Sequence, residues 1–289
     1  MFPNVYAVGM AVFPCGTEIA YSGGMKRRIK SPVTIIVGIK CTDGIVITSD
    51  SRYTTPEGII RDNTDKLSIV YFNDGNSGIV GQAGNGDLSS VVVEQLTAKA
   101  AELPMLDYRA FPELAQSCMA DLKSKLREQF KGSAEETKKH FEDYSFELMM
   151  AYYHSGKPYI YTVDFSLGSI VPKPQKYVAI GCGWVLSDFL LSTQDFSDFN
   201  AEHGMWCAIY AVEEIKQYDA RCGGPTKAAV VRLVNGKSRS GLAEREWLNI
   251  AVKEVSAFSD ESRIFRKQNI DDAISKAVNR RTESGPLLE

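Results

Sequence analysis

The chain has 289 residues, of which 44% are hydrophobic, 10% aromatic and 24% charged, and its net charge is −3. That make-up fits one large globular domain with extensions and excludes disordered or fibrous classes. A slightly acidic balance lacks the broad basic face that wholesale nucleic-acid binding requires, and no apolar run approaches the ~20 residues of a membrane-spanning helix.

Residues 1–30 show no clean periodicity. The apolar stretch 5–13 precedes the basic cluster Lys26-Arg27-Arg28, the reverse of a secretory signal. Organised pattern begins after Ser31-Pro32 with two apolar runs, TIIVGIK over 34–40 and IVITSDSR over 45–52, around a turn containing Asp43-Gly44. Both are apolar almost continuously rather than alternating, which predicts strands covered on both faces and hence a layered αββα architecture. A loop over 41–44 pairs Lys40 with Ile45 and sets Thr34 opposite Ser51; a tighter turn shifts the partner of Thr34 to Tyr53. Either register brings Asp50 to the end of the sheet where Thr34 lies.

Strands are expected over 66–72 and 77–83, around the turn 73–76. Asp87 is expected to cap a helix from Leu88 to about Leu103, with Val91, Leu96 and Ala100 among its apolar positions. A second helix is expected over 111–130, with Pro112 in its first turn, and the charged segment 131–143 is a loop or an extension of it. A hairpin follows over 146–154 and 158–164, then a short strand over 177–180 running into Gly181-Cys182-Gly183. Helices over 184–191 and 205–218 and a last strand over 228–234 complete the pattern. The grouping predicts an α+β fold, a four-layer αββα sandwich with two antiparallel sheets between helix layers. The division is a prosegment 1–33, a domain 34–239 and a helical C-terminal extension 240–289.

The six cysteines have no CxxC pair and the three histidines are dispersed, so no metal site and no cofactor is expected, and reduced thiols fit a cytoplasmic protein. Three residues stand out: Thr34 opening the first strand, Asp50 closing the second and Lys66 opening the third. Singly they are a β-favouring threonine and an ordinary ion pair. Together they are a hydroxyl, a carboxylate and an ammonium brought to one sheet end.

The stretch TIIVGIKCTDGIVITSDSR followed by DNTDKLSIV closely resembles the opening of proteasome β subunits, N-terminal-nucleophile hydrolases. The resemblance continues through GIVGQAGNGD, the run 177–183 and DARCGG at 219–224, with the anchors in the family's order. It implies a threonine-type endopeptidase, a bacterial or archaeal-like homologue, that becomes active when removal of 1–33 exposes Thr34. It also implies the roles of the matching positions. The α-amine of Thr34 would serve as base, Lys66 would favour the ionised hydroxyl, and Asp50 would hold Lys66 charged. The Gly81 N–H would bind the oxyanion, Asp219 would complete the network around the amine, and Tyr53, Thr64, Ile79 and Ala83 would line the pocket before the scissile bond. The partners implied are unfolded protein or peptide substrates, further copies in stacked homo-oligomeric rings, and an ATP-dependent unfoldase, with no nucleic acid and no membrane.

The sequence departs from the family at three places. Cys182 and Cys222 replace serines around the threonine amine, and a thiol is a weaker hydrogen-bonding group than a hydroxyl. Val33 replaces the glycine that usually precedes the threonine, crowding the bond to be cut. The alternatives are therefore an unprocessed, non-catalytic ring subunit and an amidohydrolase acting on small amides.

Overall fold

The computed structural model describes residues 34–54, 60–130, 132, 133, 136, 141 and 145–261. The expected prosegment with Val33, most of the charged segment 131–143, and residues 262–289 of the expected C-terminal extension lie outside the described residues.

Strands β1 (Ile35–Lys40) and β2 (Ile45–Ser49) are buried along their length apart from Lys40. They pair antiparallel with Lys40 opposite Ile45, so the wider loop is realised and Thr34 falls in line with Ser51. The short β3 (Tyr53–Thr54) and β4 (Ile60–Arg61) pair only with each other. Then come β5 (Leu67–Tyr71), β6 (Ser77–Gly84) and helices α1 (Gly86–Ala100) and α2 (Ala110–Gln129), followed by β7 (Phe146–His154), β8 (Lys157–Asp164), β9 (Ser169–Pro172) and β10 (Tyr177–Gly181). Helices α3 (Trp184–Leu191) and α4 (Ala201–Tyr218), strands β11 (Lys227–Val234) and β12 (Lys237–Leu242), and helix α5 (Arg245–Glu261) complete the described chain.

The strands form two five-stranded antiparallel sheets, ordered β10-β1-β2-β11-β12 and β5-β6-β7-β8-β9. The unbroken apolar runs are explained by what lies on each face. In β1, Ile35, Val37 and Ile39 pack with α4 residues such as Ile209 and Val212. Ile36 points the other way, into a cluster with Leu67, Ile79, Met149 and Val178 that joins the two sheets. Helices α1 and α2 cover the outer face of the second sheet through Leu96, Phe111 and Met119 against Val80, Leu148 and Met150. The result is the expected α+β sandwich of four layers, each sheet buried on both faces.

Several local expectations are corrected. The cap of α1 is Asn85, whose side chain accepts from the Leu88 N–H at 3.0 Å. Asp87 sits inside the first turn, where it faces the helix dipole instead, and α1 stops at Ala100 with Val91 exposed. α4 begins at Ala201, four residues before the expected start, capped by Asn200, whose side chain accepts from the His203 N–H. The turn between β7 and β8 is the tight Ser155-Gly156 pair, both at positive φ (49° and 74°), which leaves Lys157 in the strand. Strands β9 and β12 were not anticipated. β12 pairs with β11 across Asn235-Gly236 and crosses the expected boundary at 240, so β11 is not the last strand. Beyond it α5 packs Trp247, Leu248, Ala251 and Val255 into the cluster built on α4.

Because the Asn85 side chain answers an otherwise orphaned N–H, Asn85→Ala is expected to lower stability by about 1 kcal/mol. Asp87→Ala should cost less, about 0.3–1 kcal/mol from the dipole alone. Guanidinium denaturation of the two variants checks the order.

Candidate active site

Thr34 precedes β1, Asp50 follows β2 and Lys66 precedes β5, so the layering itself brings three strand ends together. All three residues are buried, at 1%, 0% and 4% exposure. The Thr34 hydroxyl donates to Asp50 Oδ1 at 2.7 Å, and Lys66 Nζ donates both to that oxygen, at 2.7 Å, and to Thr34 Oγ1. The Ile35 N–H donates to Oδ1 at 3.1 Å and the Gly223 N–H to Oδ2 at 3.0 Å. Burial holds the Lys66 ammonium below the ordinary lysine value, and the adjacent Asp50 carboxylate opposes that shift.

A second group meets the first at the backbone of Thr34. Gly181 at the end of β10 takes φ +90°, and a Cβ there would come within 2.3 Å of the Thr34 carbonyl oxygen, so only glycine allows this approach. The next residue, Cys182, donates from Sγ to that same oxygen at 3.2 Å and lies 3.5 Å from Cys222 Sγ. Asp219, at the C-terminus of α4, is engaged by Arg221. Its Oδ1 accepts from the Arg221 N–H and Nε, and its Oδ2 accepts from Nη2 at 2.7 Å. Burial pushes the Asp219 carboxyl up, but the bonds from Arg221 and the Cys182 thiol outweigh it and hold the pKa below the ordinary value. The ligand atoms of Cys182, Asp219 and Cys222 lie within 4.8 Å of one another, a spacing open to a metal ion. Both Asp219 oxygens, however, already serve the Arg221 guanidinium, which would crowd a second cation with its own charge.

The Gly81 N–H, expected to bind an oxyanion, faces into the sheet. Gly81 lies inside β6, paired with Leu67 on one side and Met149 on the other. The Gln82 N–H donates toward β5, to the Lys66 carbonyl at 2.9 Å. N–H groups alternate sides along a strand, so that of Gly81 faces β7 and is enclosed in the ladder. A Cβ on Gly81 would meet Ile36, in the space between the sheets. Gly84, at φ +114°, is the next glycine whose N–H shares the direction of Gln82, and it lies beyond the end of β5. Sequence spacing alone could not rank these two glycines; strand parity does.

The same parity corrects the pocket. Ile79 (0% exposed) and Ala83 (1%) share the Gly81 face and belong to the cluster between the sheets. Gln82 shares the Lys66 face, with its side chain bonded to the Asp65 carbonyl and the Ser89 hydroxyl. Of the expected lining residues, Tyr53 stacks its ring where a Gly86 Cβ would stand, 3.0 Å away, and the Thr64 N–H donates to the Ser51 carbonyl.

A family model described as Proteasome subunit matches residues 33–231. The chain belongs to the proteasome subunit family. Proteasome subunit beta 1 of Thermococcus sibiricus (strain DSM 12597 / MM 739) is 26% identical over 196 residues, covering 68% of this chain and 84% of that protein. The solved structure of Anbu, an ancestral beta-subunit, from Yersinia bercovieri superposes with a TM-score of 0.60 at 14% identity, covering 81% of this chain and 99% of that one. Anbu from Pseudomonas aeruginosa, solved as a helical assembly, gives 0.60 at 19% identity over 81% and 98%. Membership of the proteasome subunit family is thus shown by the family match, and the sandwich by the likeness of fold. No helix among the described residues is long and apolar enough to cross a membrane.

Two substitutions test this geometry through stability. Asp50→Ala leaves the buried Lys66 without its counter-ion and is expected to cost about 3–5 kcal/mol. Ile79→Ala is expected to cost about 2–5 kcal/mol as a core cavity, and denaturation of both variants measures the two losses.

Proposed function

We propose that this proteasome-type β subunit is a threonine-type endopeptidase whose nucleophile is Thr34, freed by removal of residues 1–33. The observation that carries the reading is the hydroxyl of Thr34 held between a buried carboxylate and a buried ammonium. A threonine hydroxyl is a poor nucleophile unless a base takes its proton. The freed α-amine, with an unperturbed pKa of about 8, stands on the same residue and can accept that proton, directly or through water. Lys66 then stabilises the developing alkoxide, while Asp50 and its backbone donors keep Lys66 in place. Oγ1 adds to the scissile carbonyl, and the Gly84 N–H rather than that of Gly81 meets the oxyanion. Collapse gives a Thr34 ester and releases the amine product, and water hydrolyses the ester. The backbones of β3 and of the β6–α1 joint offer an extended peptide the hydrogen bonds of an added strand. Gln82 on the Lys66 face favours a polar side chain before the cut, where Ile79 and Ala83 would have favoured an apolar one.

Unfolded protein or peptide is the substrate class, and assembly with further copies, reached by an ATP-dependent unfoldase, is the setting the family supports. A cytoplasmic location follows from that setting and from the reduced thiols. The second reading is a non-catalytic ring subunit. Val33 favours it, since a β-branched residue crowds the carbonyl that Thr34 would have to attack.

Intact mass and an electrophilic peptide probe separate the two. Loss of residues 1–33 and probe adduct on Thr34, absent in Thr34→Ala, are expected; a retained Met1 without labelling would leave the non-catalytic subunit. In the processed protein, Lys66→Ala is expected to lower kcat by about 10²–10⁴-fold, measured on an unfolded casein substrate.

A further inference from the structure

We propose that Cys182 and Cys222 form a peroxide-sensitive dithiol that closes to a disulfide and shuts the Thr34 site. The two come from different elements, one after β10 and one after α4, yet their sulfurs lie 3.5 Å apart. A disulfide needs about 2.05 Å, so the remaining gap is about 1.5 Å, within reach of side-chain rotation and a small loop shift. Cys182 is half-buried and open to a small oxidant, while Cys222 is buried beneath it.

The surroundings assign the order of events. The cations of Lys66 and Arg221 and the carboxylates of Asp50 and Asp219 all face the thiols. Cys182, half-buried, is the thiol an oxidant reaches, while contact with the Cys182 thiol and burial hold Cys222 protonated, so Cys182 reacts first. Its sulfur attacks one oxygen of hydrogen peroxide, the O–O bond breaks, and one water leaves a sulfenic acid. The Cys222 sulfur then displaces the hydroxyl from Cys182, and its own proton departs with that hydroxyl as a second water. Two thiols become one disulfide and one peroxide becomes two waters.

Closing the bond reaches Thr34 along two lines. It withdraws the Cys182 Sγ–H from the Thr34 carbonyl. It also pulls on Cys222, whose neighbour Gly223 donates to Asp50 and accepts from the Ser51 N–H. The other described cysteines (Cys41, Cys118 and Cys207) are all buried, and burial drives Cys41 up to about 12, so they stay inert.

The effect on activity rests on the proposed function, whereas the bond itself does not, and the test reads them separately. Protein before and after removal of residues 1–33 is titrated with hydrogen peroxide, alkylated, digested and mapped by mass. The expected result is a peptide pair linked through Cys182 and Cys222 in both forms and loss of Thr34 probe labelling in the processed form, with dithiothreitol breaking the link and restoring the labelling. In Cys222→Ser the link is lost and dimedone traps a sulfenic acid on Cys182. Oxidation of Cys182 to unlinked sulfinic acid in the unsubstituted protein overturns the proposal, as does a link to Cys15 instead. Thiols that react only after a chelator is added would assign a bound metal ion in its place. A link that leaves Thr34 labelling intact overturns the switch. Reduced protein that never labels at Thr34 overturns the proposed function, and the mapping still decides the dithiol.

Discussion

A carboxylate with no exposure to water has to be answered from within the protein, and the Asp50 carboxylate receives four donors. They are the Thr34 hydroxyl, the Lys66 ammonium and the N–H groups of Ile35 and Gly223. These donors come from three stretches of chain, at 34–35, 66 and 223. The carboxylate therefore fixes the start of β1, the approach to β5 and the loop after α4 relative to one another. Left uncompensated, either Asp50 or Lys66 would cost several kcal/mol in this environment. Their mutual neutralisation is what allows a charged cluster to sit in the end of a hydrophobic sandwich.

The sandwich in turn makes the cluster rigid. β1 is buried on both faces, with odd-numbered residues against α4 and Ile36 against the second sheet. A strand clamped in this way cannot slip by one residue without exposing isoleucines on either side, so the position of Thr34 at its mouth follows from the packing behind it. The positive-φ glycine at 181 adds a second constraint from β10, bringing backbone within reach of the Thr34 carbonyl. Cys182 enters the site through this contact and Cys222 through the loop after α4, beside the Gly223 N–H that donates to Asp50.

Membership of the proteasome subunit family and the geometry around Thr34 point the same way, but they are different kinds of statement. The family match concerns the whole of 33–231. The likeness to Anbu, at 14–19% identity, concerns the arrangement of the layers. The chemistry rests on a handful of atoms at one end of the sandwich, and there this chain has its own features: two thiols, a Gln82 on the Lys66 face, and an Arg221 fork that occupies Asp219.

By itself the sequence determined the layered α+β fold, the β1–β2 hairpin and the meeting of Thr34, Asp50 and Lys66, because these follow from short-range rules. Continuous apolar runs require two covered faces, and either register of the hairpin puts Asp50 at the Thr34 end of the sheet. What only the tertiary structure decided depends on facing direction and on distant partners. Gly81 and Gly84 look alike in sequence, yet strand parity buries one N–H in the ladder and directs the other past the end of β5. Ile79 and Gln82 face opposite sides of β6 for the same reason. Asn85 and Asp87 both suit a cap and stand within one turn, and only the backbone shows which side chain meets the Leu88 N–H. β12 reads weakly in sequence, since its residues are polar and it is held by pairing with β11 rather than by its own pattern. The 3.5 Å between Cys182 and Cys222 spans 40 positions of chain, a separation over which no local propensity acts.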